Sequence, residues 1–265
     1  MRKHKQPSIQ HVHSVAEERF NQEVSISVII PTLDEEEKIR YLLAQLCELE
    51  PGLEIIVADG GSTDRTVQQA RDRAYVVVCE RGRARQMNSG ARLARGEVLW
   101  FLHADSVPHP DSLKAIRRAV LEDGVVGGAF EYAMDGNRVV YRVSEFFSNR
   151  KNRLFKLFYG DMGIFVRRDV FWQLGGFAEM PLMEDLDFCL RLRQAGPVCI
   201  LPQRIMTSSR RWEIEGPVRT IVRNWLLQIA WKLGASPETL ARWYHFPQNG
   251  KRQVEAREYA EEMQQ

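Results

Sequence analysis

The stretch from residue 25 to residue 59, SISVIIPTLDEEEKIRYLLAQLCELEPGLEIIVAD, decides the fold. Residues 25–31 form an apolar run that ends at proline, which is typical of a strand buried on both faces. Residues 34–49 place apolar side chains at helical spacing behind an acidic first turn. Residues 53–58 form a second buried strand. The order strand, helix, strand predicts two parallel strands joined by a right-handed crossover.

The same alternation continues along the first half of the chain. Further buried strands are predicted at residues 75–79 and 98–102. Helices are predicted at residues 83–94 and from a cap at Ser62 or Thr63 to about residue 73. Four strands alternating with three helices predict an α/β fold, with a mostly parallel, Rossmann-like sheet flanked by helices.

The second half of the chain is less regular. Strands are predicted at residues 127–134, 160–166 and 198–201, and helices at residues 137–158, 183–194 and 216–233. We therefore divide the chain into a flexible tail at residues 1–23, a sheet-based domain at residues 24–212, a helical C-terminal segment at residues 213–247 and a charged tail at residues 248–265.

Composition excludes several classes of protein. The formal net charge of +2 is too small to argue for a nucleic-acid partner. The four cysteines lie in or beside apolar runs without C-x-x-C spacing, which favours free thiols in a reducing compartment over a zinc site. The N-terminal residues show no secretory signal, and no apolar run is long enough to span a bilayer. We expect a cytoplasmic protein, free or peripheral on the cytoplasmic face of the membrane.

Polar side chains collect where the predicted parallel strands end. Asp34 and Glu35 follow the first strand, Asp59 ends the second, and His103 and Asp105 follow the fourth. Sheets of this kind bind ligands beyond the carboxyl ends of their strands. Three strands thus deliver carboxylates to one edge, which spacing alone would not require.

Four segments in order resemble the family 2 glycosyltransferases of the GT-A fold. They are SVIIPTLDEE, EIIVADGGSTDRT, RGRARQMNSGARLARGEVLWFLHADS and the pair GGF and MEDLDF, within residues 25–212. The phrases FLHADS, GDMGIFVRRD and SSRRWE resemble the radical-SAM/selenodomain-associated branch. The resemblance implies a hexosyltransferase-like enzyme that moves a sugar from a nucleotide-diphosphate sugar, a UDP- or GDP-sugar, to an acceptor hydroxyl. It also implies an inverting, metal-dependent reaction.

The resemblance implies a donor pocket at the ends of the first two strands. The carboxylate of Asp59 would accept hydrogen bonds from the donor's base, whereas a turn-forming aspartate is the structural alternative. Many relatives carry a second acid where this chain has Gly60. Among the arginines of residues 81–88, we favour Arg85 as the partner of the diphosphate over a solvated helix face. The rest of the donor-binding set is Pro31, Leu33, Glu35, Asn88, Ala104 and Arg211.

Asp105 is the predicted metal ligand, at the end of a D-x-D-like motif. A divalent cation between this carboxylate and the phosphates offsets the charge that accumulates on the leaving diphosphate. His103 stands where the first acid of the motif is usual, either as a ligand, as a supporting residue or as a polar residue at a strand end. The expected cofactor is Mg²⁺ or Mn²⁺.

The E-D pair at residues 184–185 is the predicted catalytic element. An inverting transfer needs a carboxylate that accepts the proton of the acceptor hydroxyl. The resemblance points to Asp185 as this base, with Glu184 beside it to raise one of the two pKa values. A first-turn acid favoured by the helix dipole is the alternative for Glu184. Acceptor contacts are expected from Gly160, Asp161, Met162 and Trp212.

Two segments raise the question of membrane contact. Residues 138–156 are basic and aromatic, which is consistent with a helix on an anionic membrane, a lid over the active site, a helix that binds a phosphorylated acceptor or a half-buried core helix. The helix that carries Trp225 and Trp231 would be either interfacial or half-buried in the core. A lipid acceptor and the oligomeric state stay open.

Other functions fit the sequence less well. A nucleotidyltransferase shares an α/β fold and a carboxylate-bound metal, but it would carry a glycine-rich loop where this chain reads PTLDEE. A non-catalytic nucleotide-sugar-binding protein would have lost the E-D pair. A nicotinamide dehydrogenase would carry G-x-G-x-x-G after the first strand.

Overall fold

The structure, a computed structural model, describes residues 24–244, so the predicted tails at residues 1–23 and 248–265 lie outside it. The strands are β1 (Ile26–Thr32), β2 (Glu54–Asp59), β3 (Tyr75–Val78), β4 (Val98–Phe101), β5 (Gly127–Met134), β6 (Phe165–Arg167) and β7 (Val198–Thr207). Within the described residues they form one seven-stranded sheet in the order β3-β2-β1-β4-β6-β5-β7.

Helices cover both faces of this sheet. They are α1 (Glu36–Leu49), α2 (Thr66–Ala70), α3 (Arg83–Leu93), α4 (Ser112–Glu122), α5 (Val139–Phe155), α6 (Arg168–Gln173), α7 (Glu184–Ala195), α8 (Arg210–Glu215), α9 (Pro217–Lys232) and α10 (Pro237–Trp243). A short 3₁₀ helix, Gly160–Met162, precedes β6.

The first half of the chain confirms the predicted parallel sheet. Strand β1 pairs in parallel with β2 and with β4, and β2 pairs in parallel with β3. Val28 and Ile30 of β1 pack into one core with α1 and α4, whereas Ile29 packs into a second core with α3 and α7. Because both faces of β1 are buried, its sequence reads as a continuous apolar run instead of an alternating one.

Helix α3 lies unusually close to the sheet. A Cβ atom on Gly90 would come within 2.6 Å of Ile29 Cγ2, so only glycine lets the helix pack at this distance. The first turn of α3 is thereby held at the carboxyl edge of β1 and β2. The preceding helix α2 begins at Thr66, later than predicted, and Asp64 Oδ1 instead of Ser62 or Thr63 accepts from its first N–H at 2.9 Å.

The predicted strand at residues 160–166 is wrong in part. Residues Gly160–Met162 form the 3₁₀ helix, and Gly163 follows with a φ of +63°, a backbone conformation that favours glycine. Only Phe165–Arg167 pairs, antiparallel to both β4 and β5. Strand β7 in turn extends to Thr207, past the predicted end at residue 201, because it pairs in parallel along β5 as far as Met134.

The C-terminal helices pack on the same domain. The helix predicted at residues 216–233 is α9, and it follows α8 after a turn at Gly216 with a φ of +84°. Thr220 and Leu227 of α9 and Leu240 of α10 are buried. None of the helices within residues 24–244 has the length and apolar content to cross a membrane.

Candidate active site

The loops after β1 and β2 hold each other through side chain-to-backbone hydrogen bonds. Thr63 N–H donates to Asp34 Oδ1 at 2.8 Å, and Glu35 N–H donates to Thr66 Oγ1 at 2.8 Å. The N–H groups at the start of a helix have no partner within it. These bonds therefore support the start of α1 and also hold Glu35 at the carboxyl edge of the sheet.

Asp59 lies at this edge but is only 1% exposed. Its Oδ1 accepts from the N–H groups of Gly61 and Ser62 at 3.0 and 2.8 Å, and its Oδ2 accepts from the hydroxyls of Thr32 and Ser62. The carboxylate therefore builds the turn after β2. Contact between Asp59 and a donor base stays a prediction, and the base would meet an oxygen that already accepts two hydrogen bonds.

A cleft of about 730 Å³ opens beside these loops. Its polar end is lined by Glu35, Arg83, His103, Asp105, Asp161, Glu184 and Asp185. They come from the loops after β1 and β4, the first turn of α3, the 3₁₀ helix and the first turn of α7. The structure thus brings the predicted metal residues, the E-D pair and three predicted acceptor residues, Asp161, Met162 and Trp212, into a single cavity.

A cation and a buried acid pair across this cavity. Arg83 Nη1 lies 3.2 Å from Glu184 Oε1; the side chain of Glu184 is 3% exposed and that of Arg83 is 44% exposed. Burial raises the pKa of Glu184, against the attraction of Arg83. Burial opposes the charge of Arg83 too, but the carboxylates of Glu184, Asp185 and Asp161 more than compensate and raise its pKa. Arg83 is therefore a permanent cation among these acids.

Asp185 stands in the first turn of α7, where the helix dipole favours an anion. Its Oδ1 accepts from Leu186 N–H at 2.7 Å and its Oδ2 from Gly160 N–H at 2.8 Å. A Cβ atom on Gly160 would lie 2.9 Å from His103 Nε2 and 3.4 Å from Asp185 Oδ2. Glycine at residue 160 thus lets the imidazole and the carboxylate approach the same point.

Two further carboxyl groups in the cleft have raised pKa values. Burial, with smaller contributions from Asp185 and Asp105, raises the pKa of Asp161 to about 6. Burial also raises the pKa of Asp105, although Lys38 and Arg210 pull it down. Acids that are buried together hold their protons more tightly than exposed ones, and such groups are common in catalytic clefts.

The protein side chains in the cleft are too few to complete the coordination of a metal ion by themselves. Within the described part of the chain, no three His, Cys, Asp or Glu side chains form a group that could hold a metal ion. Asp105 and His103 line one cavity, however, and hard divalent cations usually combine one or two carboxylates with water and substrate phosphates. The residues fit a cation of which the substrate supplies part of the coordination.

Other predicted donor residues lie away from the cleft. Arg85 pairs with Glu80 at 2.9 Å and with Glu179 at 3.0 Å on the surface. Asn88 is buried and forms two hydrogen bonds with the backbone of Phe177, at 2.8 and 2.9 Å. These side chains hold the segment before α7 against α3.

The remaining predicted residues are distributed between core and cleft. Pro31 pairs with Ala58 inside the sheet, Leu33 is half-buried in the next loop, and Ala104 is buried. Arg211 lies in α8. Met162 and Trp212 line the cleft, and the Trp212 ring packs edge-on against Tyr141 at 5.9 Å.

Asn88→Ala is expected to lower the free energy of unfolding by about 2–6 kcal/mol. The change would leave a buried N–H and a buried C=O of Phe177 without their partner, and each unsatisfied group costs about 1–3 kcal/mol. Urea unfolding measures the loss, and Arg85→Ala, an exposed change on the same helix, is the control. Unchanged stability with weaker donor binding would instead assign Asn88 to the donor site.

The sequence prediction favoured Arg85 as the partner of the diphosphate, but Arg83 is the arginine of α3 that lines the cavity. Its acidic partner lies 101 residues further along the chain. No local pattern in RGRAR separates the two side chains, so only the packing of α3 against α7 identifies Arg83.

The model of a known family, described as glycosyl transferase family 2, matches residues 27–175, more than half of the chain. The chain belongs to this family. Membership does not favour the nucleotidyltransferase or the non-catalytic alternative.

Curated relatives match over shorter spans. A glucosyl-3-phosphoglycerate synthase of Mycolicibacterium paratuberculosis is 34% identical over 99 residues, which cover 32% of this chain and 30% of that protein. An uncharacterized glycosyltransferase of Haemophilus influenzae is 24% identical over 182 residues, which cover 64% of this chain and 62% of that protein. The matches thus span about a third and three fifths of these relatives.

Solved structures of the family share the fold. TarS of S. aureus, residues 1–349 in complex with UDP, has a TM-score of 0.54 at 20% identity, covering 69% of this chain and 60% of that one. The glucosyl-3-phosphoglycerate synthase of Mycobacterium tuberculosis, in complex with Mn²⁺, UDP and glucosyl-3-phosphoglycerate, has a TM-score of 0.51 at 20% identity, covering 77% of each chain. The chain has the GT-A fold that was predicted.

Proposed function

We propose that this protein transfers a sugar from a nucleoside-diphosphate sugar to an acceptor hydroxyl, with inversion at the anomeric carbon. One observation carries the proposal: a single cleft at the carboxyl edge of the parallel strands is lined by Asp185, Asp105, His103 and Arg83. A base, a metal-ligating carboxylate and a cation are the groups that such a transfer requires. Family membership supports the same reaction class.

Asp185 is the proposed general base. Its carboxylate accepts the proton of the acceptor hydroxyl while the acceptor oxygen attacks the anomeric carbon. The bond from that carbon to the diphosphate breaks, and its electron pair leaves with the diphosphate. The hydrogen bond from Gly160 N–H, at 2.8 Å, orients one carboxylate oxygen.

The donor end of the cleft is proposed to lie at Glu35, where the loops after β1 and β2 meet. Complexes of TarS and of the mycobacterial synthase with UDP support a uridine nucleotide, and a guanosine nucleotide is the alternative. Arg83 replaces Arg85 as the proposed partner of the diphosphate, because its guanidinium lines the cleft. Asp59 supports this end through the turn that it builds.

A divalent cation is the proposed cofactor. Asp105, with His103 beside it, would hold the cation, which when bound neutralises charge on the diphosphate. The Mn²⁺ in the mycobacterial synthase structure supports manganese, and Mg²⁺ suits the carboxylate equally well.

A panel of nucleotide sugars tests the donor and the metal together. With Mn²⁺, a UDP-sugar at about 100 times its Kd is expected to raise the melting temperature by about 5–10 °C, because a ligand of the native state stabilises it. Asp105→Ala should abolish the part of the shift that depends on the metal. Asp111→Ala, an exposed aspartate, is the control. The absence of a shift with every uridine, guanosine, thymidine and adenosine diphosphate sugar would reject the proposed donor class.

We further propose peripheral contact with an anionic membrane on its cytoplasmic face. Large apolar side chains on α5 and α9 are exposed: Val139, Phe146, Leu154, Phe155, Leu226 and Ile229. Arg150 of α5 and Lys156, which directly follows this helix, are exposed as well. Apolar and cationic side chains together are the composition of an interfacial surface.

Co-sedimentation with anionic liposomes tests this contact. The double change Leu226→Ser and Ile229→Ser is expected to weaken binding at least about tenfold, since each side chain contributes buried apolar area. Leu121→Ser, on the exposed face of α4, is the matched control. Equal pelleting of the two variants and the unchanged protein would contradict membrane contact through α9.

A further inference from the structure

The cleft continues past Asp185 as a groove between α5 and α9. One wall carries Val140, Val143 and Phe147 of α5, and the other carries Ile221, Trp225 and Leu227 of α9. We call this part of the cavity the α5–α9 groove. It belongs to the same cavity of about 730 Å³ as the carboxylates, so a single molecule can reach from one to the other.

The groove lies on the side of the cleft away from the donor end. Tyr132 and Met134 of β5 also line the cavity. In the sheet, β5 is separated from β1 by β4 and β6, and β2 lies beyond β1. The proposed nucleotide site at β1 and β2 and the groove beside β5 are therefore at different ends of the cleft, which leaves the groove for the acceptor.

Large apolar side chains in the walls of the groove are accessible to a ligand. The side chains of Phe147 and Trp225 are 66% and 60% exposed, and Val143 is 49% exposed. A ligand that covers these side chains removes apolar surface from water, which favours binding. The helices also contribute seven polar side chains, of which only Lys151 is charged: Ser144, Ser148, Lys151, Asn152, Thr220, Asn224 and Gln228. Large apolar side chains that a ligand can still cover, with a single charged group among them, fit an aliphatic chain better than a charged peptide.

We propose that the acceptor is an amphiphile whose aliphatic chain lies in the α5–α9 groove while its hydroxyl reaches Asp185. This inference rests on the proposed glycosyl transfer and names its substrate class. The chain's own residues 248–265 are a poor alternative occupant, because they are mostly polar or charged. The exposed apolar side chains around the groove mouth, including Phe146 and Leu226, fit a molecule that enters from a lipid surface.

A series of 1-alkylglycerols tests the proposal with the full chain. Binding of glycerol and of its butyl, octyl and dodecyl ethers is measured by titration calorimetry, below their micelle concentrations and without liposomes. Affinity is expected to rise by up to about fourfold for each methylene that the groove buries, and to level off once the groove is filled. Transfer from a UDP-sugar should be faster to the dodecyl ether than to glycerol.

Two phenylalanines of α5 supply the matched variants. Phe147 lines the groove, whereas Phe155 is similarly exposed and does not line it. Phe147→Ser is expected to weaken dodecylglycerol binding about 10- to 100-fold, and Phe155→Ser to change it less than twofold. Both positions are exposed, so both variants should keep the melting temperature.

Three results would overturn the proposal. Affinity that does not depend on chain length would exclude an apolar groove ligand. Equal losses in the two variants would indicate adsorption to the surface. A dimer that Phe147→Ser dissociates would assign the groove to a second copy of the chain. If the protein binds a UDP-sugar but its affinity for the alkylglycerols does not depend on their length, only the acceptor class is rejected. If it binds the alkylglycerols but no nucleotide sugar, the proposed transfer itself is rejected.

Discussion

Asp185→Asn is expected to lower turnover by about 10²–10⁴-fold while the affinity for the UDP-sugar donor stays within about twofold. The amide has nearly the shape of the carboxylate and can still accept the hydrogen bond from Gly160 N–H. It cannot accept the proton of the acceptor hydroxyl. Product formation under saturating donor measures turnover, and the thermal shift with UDP-sugar measures donor binding.

Asp187→Asn is the matched control on the same turn of α7. The carboxylate of Asp187 pairs with Arg191 at 2.7 Å, and Asp187 does not line the cleft. This change is expected to cost some stability and to leave turnover at saturating substrate nearly unchanged. If both variants lost turnover equally, the effect would come from the first turn of α7 as a whole. If Asp185→Asn kept full turnover, another group would be the base.

Asp161→Asn is expected to stabilise the protein by about 2–3 kcal/mol at pH 8, measured by urea unfolding in the presence of a chelator. Burial raises the pKa of Asp161 to about 6, above the ordinary value of 3.8. The native state therefore binds this proton more tightly than the unfolded chain. The free energy of unfolding therefore decreases as the pH rises from 3.8 to about 6. Above that range Asp161 is charged in both states, and the buried charge destabilises the native state by its full amount. Asparagine removes this cost, so its advantage should shrink as the pH falls through the same range.

Asp169→Asn is the control for which a change in stability of the opposite sign is expected. Its hydrogen bonds with Arg167 hold the pKa of Asp169 below its ordinary value, so its charge stabilises the native state at neutral pH. Because this carboxylate is exposed, Asp169→Asn is expected to lower the stability of the protein only slightly. A gain for Asp161→Asn that did not change between pH 8 and pH 4.5 would show that packing, not the buried charge, causes the effect. The stability that Asp161→Asn gains should be accompanied by a loss of sugar transfer, since buried acids in an active-site cleft are kept for function at a cost in stability.

Local sequence patterns were sufficient to predict the strands and helices in which buried apolar side chains recur at regular spacing. The apolar runs around Ile29 and Ile56 predicted β1 and β2, and the helical spacing of Ile39, Leu42 and Leu46 predicted α1. Parallel pairing followed from the strand–helix–strand order, because a helical crossover returns the chain to the edge of the sheet at which the first strand began. The expected strand at residues 160–166 was wrong in part because Gly163 breaks it, and a glycine allows a turn without requiring one.

The sequence by itself determined the α/β core, the family and the carboxylates that meet at the edge of the sheet. Only the tertiary structure decided that Arg83 instead of Arg85 lines the cleft, that the oxygens of Asp59 are occupied by its own turn, and that α5 and α9 form two walls of one groove. Periodicity records whether each side chain is buried, which is a local property. Which cation meets which acid, and which two helices face each other, depends on residues that are far apart in the chain and become neighbours only on folding.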